Sequence, residues 1–115
     1  EDGGYAATKQ LLTFEELPTA IFAVNDLMAI GAMLAIKEAN LTVPDDIAIV
    51  GFDDIQFSEY CDPPLTTISQ PRYEIGRQAV LMMLELLKGN EVSAGSRLLE
   101  TELIVRGSAA PPRMS

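Results

Sequence analysis

Two short, continuously apolar segments flank a helix-like segment, and this pattern limits the fold more than any other feature of the chain. Residues 19–24 (TAIFAV) form the first apolar segment and residues 47–52 (IAIVGF) form the second. Between them, residues 27–39 are rich in helix formers. Strands joined through one helix run parallel, and strands that are apolar along their whole length are covered on both faces. The pattern therefore predicts a βαβ unit with two buried strands.

The remaining segments extend this unit into a larger α/β fold. The predicted elements are an amphipathic helix over residues 5–16, a third strand over 65–69, a helix over 72–88 that begins after Pro71, and a final strand over 98–106. Apolar side chains of the 72–88 helix lie on or near one stripe. The predicted fold class is α/β, a three-layer sandwich with a mainly parallel sheet.

Charge and composition exclude several functions. The net charge is −9, from 17 acidic against 8 basic residues, so this segment should not bind DNA by itself. The chain has no histidine and only one cysteine, Cys61, so we expect neither a metal site nor a serine–histidine hydrolase. No apolar stretch reaches about 18 residues, so we expect no membrane span. Because the 115 residues lack an initiator methionine, we interpret the chain as a segment of a longer protein.

Polar side chains follow three neighbouring strands of the predicted sheet. Asn25 follows the first strand, Asp53 the second and Gln70 the third. Ligands of open parallel sheets bind beyond the carboxyl ends of the strands, and amides with a carboxylate can both donate to and accept from hydroxyl groups. Each residue also has a simpler interpretation: Asn25 as a helix cap, Asp53 as a turn residue and Gln70 as a surface residue. The shared position of the three favours a binding site.

An enzyme is a weaker hypothesis for the same residues. Paired acids such as Asp53 and Asp54 hold magnesium in several phosphoryl-transfer folds, but those sites also need a lysine at a neighbouring strand end. Here Lys37 and Lys88 lie within or at the far end of predicted helices. We therefore expect no enzymatic activity and no cofactor.

Three sequence motifs together resemble a known family. They are VPDDIAIVGFDDI, then PPLTTISQP, then LIVRGS, and the resemblance runs from about Gly3 to Ser108. The segment resembles the carboxyl-terminal part of the effector domain in the lactose-repressor/galactose-repressor family of bacterial transcription regulators. That domain is itself similar to periplasmic sugar-binding proteins. A fragment of a periplasmic sugar-binding transport protein is the alternative.

The resemblance implies a two-lobed domain that binds a small-molecule effector, a sugar or small metabolite, between its lobes. Asn25, Asp53 and Gln70 match positions that line the cleft, whereas Asp54 is expected to cap the following turn. Residues 1–70 would form one lobe, and residues 71–97 would belong to the other. Residues 98–108 would be a returning strand, and residues 109–115 a disordered tail.

The resemblance also implies partners. It predicts a homodimer that uses Ile30, Met33, Tyr60 and Cys61. It predicts contact with operator DNA only through an amino-terminal helix-turn-helix head that this segment lacks. The expected location is the cytoplasm, with no membrane contact.

Overall fold

The structure is a computed structural model that describes residues 2–90 and 99–111. Its elements are α1 (Asp2–Leu11), β1 (Ala20–Phe22), α2 (Asp26–Glu38), β2 (Ala48–Asp53), a 3₁₀ helix (Gln56–Tyr60), β3 (Thr66–Ser69), α3 (Arg72–Leu87) and β4 (Glu102–Ile104). The sheet has the order β1-β2-β3-β4, and β2 pairs in parallel with both β1 and β3. The α/β class with a mainly parallel sheet is confirmed.

The chain divides into two compact units. Unit 1 comprises Glu1–Ser69 and Leu103–Ser115, and unit 2 comprises Gln70–Glu102. The first division falls one residue before the predicted lobe boundary at Gln70. That the two units belong to different lobes of a larger domain stays a prediction. Residues 91–98 and 112–115, which include most of the predicted tail, lie outside the described residues.

The core of unit 1 lies between α2 and the central strand β2. Small side chains on α2 allow close packing, and the apolar residues of β2 fill the space that faces them. The core cluster consists of Ala23, Ala29, Ala32, Met33, Ile36, Ile47, Ile49 and Leu65. Burial of these side chains follows from the continuous apolar sequence of β2, as predicted.

The prediction that β1 is buried is wrong. Ala20 and Phe22 are exposed, Phe22 by 65%, and Ile21 is only half-buried. β1 is the outermost strand of the sheet, with β2 as its neighbour on one side. A continuous apolar run in sequence therefore did not distinguish this edge strand from the central one.

Helix α1 begins and ends earlier than predicted, at Asp2 and Leu11 in place of residues 5 and 16. Glycine is a poor helix former, which is why the prediction excluded Gly3 and Gly4. In the structure, a Cβ atom on Gly4 would lie 2.0 Å from the carbonyl oxygen of Met28 in α2. The close approach of the two helices thus requires glycine at this position and overrides its low helix propensity.

The segment after β4 is tied firmly into unit 1. Strand β4 is shorter than the predicted 98–106 and ends at Ile104. Beyond it, the buried hydroxyl of Ser108 donates to the carbonyl of Ile49 (2.6 Å) and accepts from the N–H of Thr66 (2.8 Å). Ser108 thereby links β2 and β3 across separations of 42 and 59 residues, which sequence periodicity does not indicate.

Unit 2 consists mainly of α3, which follows the predicted bounds closely and contains no buried residue. Its exposed large apolar side chains are Tyr73, Ile75, Val80, Leu81, Met83, Leu84, Leu86 and Leu87. The helix ends at Leu87, and Gly89 follows the cap residue Lys88 with a φ of +82°, the left-handed conformation that commonly stops a helix. The predicted apolar stripe is present but finds no buried environment.

Candidate functional site

The two adjacent acids at the end of β2 have an unusual backbone. Asp53 has a φ of 121° and Asp54 a φ of 55°, both in the region that non-glycine residues rarely occupy. We call Asp53, Asp54 and Ile55 the acidic turn. Strained backbone of this kind persists only where the surrounding structure holds it, and it is enriched at functional sites. Asp53 itself is half-buried at the carboxyl end of a central parallel strand.

Asp54 forms an ion pair with a residue that is distant in the sequence. Its Oδ1 accepts a hydrogen bond from Nη2 of Arg106 at 2.9 Å, and both side chains are largely buried. Nη1 of Arg106 also donates to the carbonyl of Leu65 at 2.9 Å. The 3₁₀ helix that follows has no side-chain cap hydrogen bond at its N-cap residue, Ile55, and a capping role for Asp54 stays a prediction. The 52 residues between these partners explain why the sequence did not indicate the pair.

Asp26, which the sequence analysis did not single out, holds the acidic turn from the other side. Its carboxylate is fully buried at the first residue of α2. Oδ2 accepts from the N–H of Ile55 (2.9 Å) and from the hydroxyl of Ser58 (2.5 Å), and Oδ1 accepts from the hydroxyl of Thr67 (2.6 Å). Several donors around one buried carboxylate are the usual way in which such a group is compensated. An acid in the first turn of a helix was the only sequence signal, and it is a common one.

Two neighbours complete the surroundings of this carboxylate. A Cβ atom on Gly51 would lie 2.3 Å from Oδ1 of Asp26, so the glycine of the GFDD motif makes room for the acid. The hydroxyl of Thr67, which donates to Asp26, also accepts from the N–H of Asp54 at 3.3 Å. The strained turn is thus held at Asp54 and Ile55 by groups from α2, β3 and the segment after β4.

Asn25 occupies the cap position that its simpler interpretation predicted. Its Oδ1 accepts from the N–H of Met28 at 2.9 Å and begins α2. The cap uses the oxygen of the amide and leaves the NH₂ group as a donor for other partners. Because Asp26 follows Asn25 and bonds Ile55, the structure brings the start of α2 to the acidic turn. Asn25 and Asp53 therefore belong to the same region of unit 1.

Gln70 is the first residue of unit 2 and directly follows Ser69, the residue that pairs with Asp53 in the sheet register. Within unit 2, Gln70 lines an open depression of about 350 Å³ with Ile75, Gln78 and Met82. Its part in a common site with Asn25 and Asp53 stays a prediction.

The groups at this end of unit 1 suit a neutral, hydroxyl-rich ligand. A carboxylate accepts hydrogen bonds from hydroxyl groups, and an amide NH₂ donates to them. Among residues 2–90 and 99–111, no cluster of His, Cys, Asp and Glu could hold a metal ion. Within the same ranges, every helix is too short or too polar to cross a membrane.

A second feature of unit 1 is an apolar groove between α2 and the 3₁₀ helix. We call this surface the groove. It encloses about 270 Å³, and its lining residues are Ile30, Met33, Leu34, Lys37, Phe57, Tyr60, Cys61 and Asp62. Phe57 and Tyr60 are 60% and 69% exposed, whereas Met33 reaches into the core. The four residues predicted for a dimer interface therefore line one surface, although their role stays a prediction.

The thiol of Cys61 is half-buried at the edge of the groove. Burial raises the pKa of Cys61, the negative charge of Asp26 raises it further, and Arg106 opposes the shift. Its Sγ lies 3.5 Å from the carbonyl oxygen of Phe57, one turn earlier. The thiol is therefore mainly protonated at neutral pH and behaves as a small apolar side chain.

Comparisons with known proteins agree with this architecture. A family model described as a periplasmic binding protein-like domain matches residues 1–109. The transcriptional repressor CytR of Escherichia coli K12 is 51% identical over 107 residues, which is 93% of this chain and 31% of that protein. The chain thus spans about a third of the length of this relative.

Solved structures show the same similarity. The dimeric Lac repressor with an 11-residue carboxyl-terminal deletion matches 96% of this chain and 40% of its own, with 41% identity and a TM-score of 0.88. A LacI family transcriptional regulator from Enterococcus faecium with bound ribose matches 96% of this chain and 40% of its own, with 35% identity and a TM-score of 0.83.

Proposed function

The chain belongs to the periplasmic binding protein-like domains of LacI-family transcriptional regulators, and on that premise we propose that it senses a small effector for such a regulator. The effector is a sugar or a similar hydroxyl-rich metabolite. The observation that supports this most is the strained acid Asp53 at the carboxyl end of β2. Parallel sheets bind their ligands at this end.

In this proposal each predicted site residue has a distinct role. The carboxylate of Asp53 accepts hydrogen bonds from ligand hydroxyls, and the NH₂ group of Asn25 donates to them. Gln70 contributes an amide from the start of unit 2. The ribose found in the Enterococcus faecium protein is a ligand of this chemical class, which supports a sugar as the effector.

In this proposal, unit 2 is part of a second lobe. Its helix α3 exposes eight large apolar side chains and buries none, so it lacks a core of its own in this chain. Large exposed apolar surfaces usually mark a surface that packs against another part. The rest of the longer protein would supply that part, and also the DNA-binding head.

In this proposal, the groove is a dimer interface. Its exposed aromatic side chains, Phe57 and Tyr60, are of the type enriched at protein–protein contacts. A Lac repressor with which the chain is 41% identical is dimeric. A second copy using the same groove would give a two-fold symmetric contact.

The test is calorimetric titration of the full-length protein with a panel of free sugars that begins with ribose. Asp53→Ala should weaken binding by about 1.5–3 kcal/mol, roughly 10- to 150-fold, because it removes charge-assisted hydrogen bonds. Asp45→Ala is the matched control, since Asp45 is an exposed acid before the opposite end of β2 and should leave the affinity unchanged. Equal affinities for wild type and Asp53→Ala would refute the site.

A further inference from the structure

One buried carboxylate contacts both of the surfaces described above. Oδ2 of Asp26 accepts from the N–H of Ile55, which belongs to the acidic turn, and from the hydroxyl of Ser58, which belongs to the 3₁₀ helix. These two donors share one oxygen atom at 2.9 and 2.5 Å. A displacement of either donor therefore changes the hydrogen bonding of the other.

On the groove side, Asp26 holds both walls. It is the first residue of α2, whose Ile30, Met33 and Leu34 form one wall. It binds Ser58, whose neighbours Phe57, Tyr60 and Cys61 form the other wall. A hydrogen bond between two side chains that are 0% exposed thus joins the two walls.

On the side of the acidic turn, Asp26 acts by two routes. It bonds the N–H of Ile55 directly, and it reaches the N–H of Asp54 through the hydroxyl of Thr67. Two consecutive residues with positive φ cannot keep that conformation without such support. The same carboxylate therefore supports the two residues that directly follow Asp53, the proposed ligand contact.

The network leaves little room for independent movement. Among the described residues, no buried side-chain nitrogen or oxygen lacks a hydrogen-bond partner. Fully paired polar groups in a low-dielectric interior are rigid, and removing one partner leaves the others uncompensated. A change at one end of this network therefore alters the pairing of polar groups that are buried away from solvent.

We propose that Asp26 is a positioning residue shared by the acidic turn and the groove, and that it transmits changes in either surface to the other. The regulatory meaning of this link, from effector to subunit contact, rests on the proposed function. The mechanical link itself does not, because it is a property of the chain without a ligand.

The test uses the full chain without any ligand: one surface is mutated, and the effect is measured at the other surface. Ser58→Ala removes the bond on the groove side and keeps the charge of Asp26, and amide hydrogen exchange of Ile55 reports on the acidic turn. We expect exchange at Ile55 to accelerate about tenfold relative to Ile36 in α2, because Asp26 loses one of its bonds and loosens. Ile36 corrects for any change in global stability.

The reciprocal variant is Thr67→Val, which removes the hydroxyl that links Asp26 to the N–H of Asp54. The rate at which an aromatic disulfide labels Cys61 then reports on the groove. This rate should rise by about the same factor. The Thr67→Val variant also keeps the proposal testable if Ser58→Ala fails to fold. Cys61 is the only cysteine in the chain, so the labelling signal is unambiguous.

Ser108→Ala is the matched control, because Ser108 is an equally buried serine in unit 1 that bonds Ile49 and Thr66 and not Asp26. It should change neither readout after the correction for global stability. Equal effects of Ser58→Ala and Ser108→Ala, or an unchanged Ile55 amide in Ser58→Ala, would overturn the proposal. Failure to bind sugar would count against the proposed function alone.

Discussion

Helices α2 and α3 look alike in sequence and differ sharply in the structure. Both are rich in leucine and methionine, and both were predicted as helices, α2 from its helix formers and α3 from its apolar stripe. In α2, seven of 13 residues are buried, whereas in α3 none of 16 is. An apolar stripe shows that a helix needs a covering surface, and it does not show where in the protein that surface lies. Unit 1 contains its own core, whereas no described residue of unit 2 is buried.

The largest expected effect of this difference is on stability. Leu65 in unit 1 is 0% exposed and Leu87 in unit 2 is 76% exposed, so the two leucines form a matched pair. Leu65→Ala should lower the free energy of unfolding by about 2–5 kcal/mol, because it leaves a cavity in the core. Leu87→Ala should change it by less than about 0.5 kcal/mol.

Urea denaturation of the chain measures both values. A loss for Leu87→Ala as large as that for Leu65→Ala would show that α3 has a buried partner in this chain, and the contrast between the units would fail.

A smaller effect is expected at two ion pairs among the described residues, one from each unit. Arg106→Gln in unit 1 removes the largely buried pair with Asp54 and the bond to Leu65, and should cost about 1–2 kcal/mol. Arg77→Gln in unit 2 removes an exposed pair with Glu74, where solvent screens the charges. It should cause no measurable loss.

Salt distinguishes the two pairs further. Raising the ionic strength from low values to 1 M should leave the cost of Arg106→Gln nearly unchanged, because buried pairs are screened little. If high salt abolished that cost, the Asp54–Arg106 pair would be a surface contact and would not hold the acidic turn.

The elements of the fold with a regular apolar pattern could be predicted from the sequence, but the interactions between distant residues could not. The bounds of β2 and α3 were predicted within one residue at each end. The 3₁₀ helix at Gln56–Tyr60 was missed, because it has no periodic apolar pattern. The start of α1 was predicted too late because Gly3 and Gly4 have low helix propensity, and the close packing of Gly4 against α2 could not be seen in the sequence.

The sequence predicted that Asp53 follows a strand, but it did not predict the contacts that support the acidic turn. The strand-end placement of Asp53 follows from the apolar run before it, so the sequence was sufficient. Asp26, Thr67 and Arg106 contact the acidic turn from positions 13 to 52 residues away. Sequence periodicity carries no information on such pairs, and each of these residues taken alone has an ordinary local interpretation.

Amide hydrogen exchange of the whole chain is the most direct measurement of the contrast between the two units. We expect the amides of residues 29–36 in α2 to exchange only through global unfolding, because the core covers them. The amides of residues 80–86 in α3 should exchange at least about 100-fold faster through local opening, because no buried side chain anchors that helix. Exchange of both helices at the same slow rate, in dilute solution, would contradict the assignment of the core to unit 1 alone.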